Sequence, residues 1–270
     1  MGRKRDLTAK IGNSLARPVR AKRKAEHKKS PRLAVVMFHR ISDQPILTGP
    51  SRDVAVSKDN FKKYCEMLKN NFRVCTFSDF EKKSKEESDK PLLVISFDDG
   101  YTDFYKNAFP ILKEFNLPVN QNLIVRYIDE GRDSFMNWDQ VRELKDSGLV
   151  ELGCHTYDKH ILDGDEPILK NASREEVLED LKLAKKSFEK ELGIAPEVLA
   201  WPYGLRPENI SDEELGKLGF KFQLNTVSGM NFRPIKYNNL KRFAVLDYET
   251  PEKLLDIIRG YDNLGMLLHK

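Results

Sequence analysis

The 270 residues are 40% hydrophobic and 33% charged, a balance that suits one soluble domain with a large core and excludes a wholly disordered chain. The formal charge of +4 is uneven: residues 1–30 carry eleven Lys and Arg against Asp6 and Glu26, leaving 35 basic and 40 acidic residues elsewhere. No apolar stretch is long enough to span a bilayer, and Cys65, Cys75 and Cys154, odd in number and without C-x-x-C spacing, argue against a disulfide framework or a zinc knuckle.

Residues 1–31 read as a basic, disordered tail ahead of a single domain over 32–270. The tail lacks the apolar core of a secretory signal, which leads us to expect a cytoplasmic chain, or one peripheral to the inner membrane face. Its charge would suit weak contact with an anionic membrane surface, whereas no aromatic-bearing platform accompanies it to support nucleic-acid binding. From residue 33 onward, apolar runs predict strands at 33–38, 72–76, 92–97, 119–125, 149–154, 197–201, 221–225 and 240–245. Helices fit between most of them, with starts marked by Ser78 with Glu81, Ser173 with Glu176, Ser211 with Glu214, and Thr250 before Pro251. Segment 162–171, with Gly164, Pro167 and several acids, reads as a loop. Alternating strand and helix predicts parallel strands with right-handed crossovers, hence a doubly wound sheet or a barrel.

The chemistry gathers at predicted strand ends. Pro91-Leu92-Leu93-Val94-Ile95 runs into Ser96-Phe97-Asp98-Asp99-Gly100, which places two adjacent carboxylates where a buried strand stops. One can hold a cation while the other handles a proton. A bare turn would explain Asp-Asp-Gly equally well. The balance shifts with Leu149-Val150-Glu151-Leu152-Gly153-Cys154, a second strand that runs into His155-Thr156-Tyr157-Asp158-Lys159-His160. Histidines five apart do not share a helix face, so the pair belongs to a strand end and its loop. Two imidazoles and one carboxylate form a usual ligand set for a catalytic divalent ion, zinc first, with cobalt or nickel as alternatives. Cys154 should point away from the side that His155 faces and into the core.

These residues resemble the polysaccharide deacetylases with the NodB-homology domain, carbohydrate esterase family 4. Ser-Phe-Asp-Asp-Gly looks like the family's first motif and the His155 to His160 segment like its second. The resemblance implies that Asp98 is the catalytic base and that Asp99, His155 and His160 hold one divalent metal ion. The four residues between the histidines resemble the branch that deacetylates poly-β-1,6-N-acetylglucosamine. Leu199-Ala200-Trp201-Pro202-Tyr203-Gly204 is similar to the third motif, a groove wall whose Tyr203 main-chain N–H helps bind an oxyanion. The arginine that other members carry with that motif has no counterpart upstream of Trp201. Val35-Val36-Met37-Phe38-His39-Arg40 is similar to an opening strand of the same branch. The resemblance, over about residues 32 to 260, favours a distorted, incomplete (β/α) barrel of parallel strands with outer helices. Its members mostly work outside the cell or in the envelope.

The implied reaction is removal of acetyl groups from an N-acetylated glycan, with Asp98 taking a proton from water and Tyr203 N–H stabilising the oxyanion. A general acid must protonate the leaving amine. His39, ending a predicted strand, is favoured over His269, the penultimate residue, which only loosely matches a family Leu-x-x-His. Trp138 and Trp201, with Pro202 beside the latter, are candidates to line a sugar groove, although tryptophan is as often core. Two other readings stay open: an amidohydrolase acting on a small amide, and a glycan-binding protein without turnover.

Overall fold

The computed structural model describes residues 32–44, 55–247 and 249–260. The basic tail and His269 lie outside the described residues. In chain order the chain forms β1 (Arg32–Phe38), β2 (Arg40–Ile41), β3 (Ala55–Val56), α1 (Lys58–Asn71), β4 (Arg73–Val74), α2 (Phe77–Lys83) and β5 (Leu92–Phe97). A π-helical turn (Phe104–Ala108) leads into α3 (Phe109–Phe115), followed by β6 (Val119–Leu123), α4 (Val125–Asp129), α5 (Trp138–Asp146) and β7 (Val150–Cys154). A hairpin of β8 (Leu162–Asp163) and β9 (Glu166–Pro167) precedes α6 (Arg174–Leu192), β10 (Val198–Ala200), α7 (Asp212–Lys217) and β11 (Phe222–Leu224). The described chain ends with β12 (Asn231–Phe232), β13 (Phe243–Ala244) and α8 (Pro251–Ile258). None of the described helices is long and apolar enough to cross a membrane.

One sheet organises the molecule, with its strands in the order β11-β10-β7-β6-β5-β1, all parallel. Parallel strands covered on both faces need apolar residues on both, and every residue of β1 and β5 is buried accordingly. Along β5, Leu93, Ile95 and Phe97 pack outward under the helices, while Leu92 and Val94 belong to a separate apolar layer on the other face of the sheet, with Leu33, Val35, Val198, Phe222 and Leu224. The sheet therefore curls around that inner layer.

Closure is partial and falls to residues 237–245. Leu240 makes a parallel bridge to Leu224 of β11, exchanging N–H and carbonyl contacts with Gln223 and Asn225 at 2.8 and 3.0 Å. Three residues on, Phe243 and Ala244 pair in parallel with Val36 and Met37 of β1. β12 covers the start of β1 in antiparallel register. The result is a distorted, incomplete (β/α) barrel, the second of the two architectures that strand and helix alternation allowed.

Most caps match the sequence. Ser173 with Glu176 and Ser211 with Glu214 form reciprocal capping boxes, and Thr250 with Pro251 opens α8. Ser78 does not cap α2: the cap is Thr76, whose hydroxyl accepts the Asp79 N–H, while the Ser78 N–H goes to the carboxylate of Glu151 at 2.8 Å. Segment 162–171 is not a plain loop either, because it folds as the β8–β9 hairpin and a 3-10 turn at Ile168–Lys170.

Candidate active site

Asp98 stays in register past the end of β5, its N–H bonding the Phe38 carbonyl at 3.1 Å. The next two residues turn through left-handed backbone, Asp99 at φ 76° and Gly100 at φ 86°. Asp is among the few residues that tolerate this region without glycine's freedom.

Asp98 is gripped from two sides. Arg242, fully buried in the strip that closes the barrel, makes a bidentate pair with both carboxylate oxygens at 2.8 Å. Asn122 of β6 donates its amide to Oδ1, also at 2.8 Å. Burial would raise the pKa of Asp98, but the Arg242 charge, helped by His155, outweighs it and holds the carboxyl at about 2. Asp98 is thus kept ionised by a guanidinium 144 positions away in sequence.

His155 enters from the end of β7, its N–H on the Leu123 carbonyl at 2.8 Å. Its Nδ1 lies 2.7 Å from the carbonyl of Ala200 on β10. A carbonyl can only accept, so Nδ1 carries the proton and Nε2 presents its lone pair to Asp99. His160 comes back to the same oxygen after Thr156 reverses the chain at φ 69°. Asp99 Oδ1 is 3.4 Å from His155 Nε2 and 3.3 Å from His160 Nε2, and all three residues are buried. A tetrahedral ion with ligand bonds of about 2.0–2.1 Å needs ligand separations of about 3.3–3.4 Å; the two separations from Asp99 match this, and the three ligand atoms lie within 4.8 Å of one another, a group that could hold a metal ion. Burial pulls His160 down to about 4, which keeps it neutral. For His155, burial opposes the charged ring, but Asp98 and Asp99 outweigh it and raise the pKa. Despite its burial, Asp99 is held below the usual carboxylate range by the imidazoles that surround it, His160 and His155 foremost.

Trp201, Pro202 and Tyr203 follow β10. Tyr203 sits in left-handed backbone at φ 57° before Gly204 at φ 72°. Gly204 admits no side chain, since a Cβ would fall 2.2 Å from the Thr226 hydroxyl oxygen. This corner turns Tyr203 over the histidines: its ring is 4.7 Å from that of His160, and its hydroxyl is 3.5 Å from His160 Nδ1. Burial and then Asp99 push the phenol to about 12, leaving it neutral. His39 follows β1 directly, and its ring lies within electrostatic reach of Asp98 and Asp99.

One of the two tryptophans is corrected. Trp201 is 1% exposed and belongs to the layer beneath the helices, so it offers no face to a sugar. Pro202 is buried with it. Trp138 opens α5, donates its indole N–H to Asp129 at 2.9 Å and packs edge-on against Phe188 of α6. Its ring is half-buried, one edge packed between helices. Cys154 is buried in the outer core layer as expected.

Three residues with site contacts escaped sequence reading: Arg242, Asn122 and Asp180. Signals existed for each. Arg242 interrupts an apolar segment predicted as a strand, Asn120-Gln121-Asn122 sits inside another, and Asp180 falls on the apolar stripe of α6. A polar residue at a position that must be buried demands a partner.

A family profile described as "Polysaccharide deacetylase" matches residues 85–222. The poly-β-1,6-N-acetyl-D-glucosamine N-deacetylase of Staphylococcus aureus (strain MRSA252) is 29% identical over 220 residues, spanning 74% of this chain and 73% of that protein. Among solved structures, IcaB from Ammonifex degensii superposes with a TM-score of 0.68 at 25% identity, covering 86% of this chain and 97% of that one. The Streptococcus pyogenes deacetylase PplD, solved with acetate, has the same fold, with a TM-score of 0.72 at 22% identity over 85% of this chain and 99% of that one.

Proposed function

The chain belongs to the polysaccharide deacetylase family, and from that premise we propose that it is a metal-dependent hydrolase removing N-acetyl groups from a β-1,6-linked N-acetylglucosamine chain. The observation that carries this reading is the pairing of two different carboxylates: Asp99 faces two imidazole nitrogens at 3.3 and 3.4 Å, while Asp98 beside it is held by Arg242. Asp99, His155 and His160 hold the cation, with zinc the best match to the donor set. When bound, a divalent cation supplies Lewis acidity to the acetamide carbonyl and makes water acidic enough to attack near neutral pH.

The protein's own groups do the rest. Asp98 accepts a proton from the attacking water, and its bidentate grip by Arg242 aims a single oxygen pair at the reaction rather than letting the carboxylate rotate. Arg242 thereby fills the orienting role for which the stretch before Trp201 offers no arginine. The Tyr203 main-chain N–H donates to the oxyanion that develops on the carbonyl oxygen. His39 hands a proton to the nitrogen as the C–N bond breaks, so that acetate and a free amine leave. Acetate release from an N-acetylglucosamine oligomer tests the assignment. Metal-loaded Asp98→Asn should lose about 10²–10⁴-fold in rate relative to wild type, and equal release by both proteins would remove Asp98 from the role of base.

A further inference from the structure

Between His155 and His160 lie four residues, and both rings reach one oxygen only if those four are held. The carbonyls of Thr156 and Tyr157 accept the N–H groups of Val125 and Arg126 on α4, at 3.2 and 3.0 Å. The N–H groups of the same turn face the other way. Tyr157 N–H donates to Oδ2 of Asp180 and Asp158 N–H to Oδ1, each at 2.8 Å. The Arg126 guanidinium also pairs with the Asp158 side chain, and the Thr156 hydroxyl accepts the Lys159 N–H at 3.1 Å.

Asp180 is an unusual residue for its place. It lies on the inward stripe of α6 with Val177, Leu181, Ala184 and Phe188, and is 5% exposed. A carboxylate there is costly to desolvate unless its oxygens are met. Both are met by consecutive backbone N–H groups of the histidine turn, a fork that fixes the turn's orientation as well as its position. We propose that Asp180 is a positioning residue for the cation site: its grip on the turn sets where His160 Nε2 stands relative to Asp99, and so sets the affinity for a divalent cation. This rests on the metal-site reading above. Outer partners of this kind typically change metal affinity by about 10–100-fold when altered.

The test uses the full chain, with Zn²⁺ affinity measured by chelator competition and Co²⁺ absorption as a signature of ligand geometry. Asp180→Asn keeps one acceptor oxygen and loses the other, so Zn²⁺ binding should weaken about tenfold or more and the Co²⁺ spectrum should change. On a His160→Ala background the same substitution should leave the residual Zn²⁺ affinity unchanged, because the ligand it positions is gone. Unchanged affinity in the single variant, or an equal loss on both backgrounds, overturns the proposal while leaving the cation site standing. Wild-type protein that binds neither Zn²⁺ nor Co²⁺ overturns both. Should Asp180→Asn fail to fold, amide exchange in the metal-free wild type decides: the Tyr157 and Asp158 amides should be protected, and rapid exchange at both overturns the role assigned to Asp180.

Discussion

Asp98 and Arg242 are both fully enclosed, and each is the reason the other is tolerated. Removing one partner of such a pair leaves a buried charge uncompensated, at a cost of about 3–5 kcal/mol. Arg242→Met should therefore lower the urea midpoint strongly. It should also move the acidic limb of the activity profile to higher pH, since burial alone raises the Asp98 pKa. The pair has a stability signature of its own. The folded value of about 2 lies below the unfolded one, so the contribution is complete above the unfolded pKa and is lost as pH falls through the folded one. Urea melts between pH 5 and pH 2 should show this loss in wild type, and Asp98→Asn should lack that share of it. At this scale, Asp98, Asp99 and His155 were legible because each sits where an apolar run marks a strand end, and His160 by its spacing from His155. Arg242 was not, because its partner lies 144 residues away and is met only once the sheet has curled.

At the scale of elements, β6 and β7 show how a polar strand is accommodated. Asn122 bonds Asp98 and the Phe97 carbonyl, Asn120 meets the Ser96 hydroxyl, and the space for both comes from Gly153 opposite. A Cβ at Gly153 would lie 2.0 Å from Asn122 Oδ1 and 3.1 Å from Asn120 Nδ2. Gly153→Ala should thus cost about 1–3 kcal/mol by overpacking and reduce acetate release by displacing Asn122. Thermal melts with parallel rate measurements check it, and Asn122→Ala added to Gly153→Ala should recover stability without recovering rate. Long apolar runs and capping boxes made the main strands and helices readable. The β8–β9 hairpin was not readable, since two-residue exposed strands have no periodicity to detect. Nor was the start of α2, where Thr76 and Ser78 are equal candidates until Glu151 claims the Ser78 N–H.

For the whole molecule, the cation reading makes a thermodynamic claim. A ligand that binds only the folded state adds about 2.7 kcal/mol at a hundredfold excess over its Kd. Calorimetry with and without a chelator should show a lower melting temperature for the stripped protein, together with loss of acetate release that Zn²⁺ restores. An unchanged melting temperature would mean that no cation is held at Asp99, His155 and His160. The alternation of strand and helix narrowed the architecture to two, the family resemblance favoured the barrel, and the seam shows it through contacts between residues far apart in sequence.

That seam joins two things usually kept apart. The strip over 237–245 is the last stave of the barrel, and it also bears the guanidinium that keeps Asp98 charged. A molecule complete through β11 but with this stave undocked would leave Asp98 without the guanidinium that lowers its pKa. If Asp98 is the base proposed above, gentle warming that lifts the stave should reduce acetate release before the helices melt.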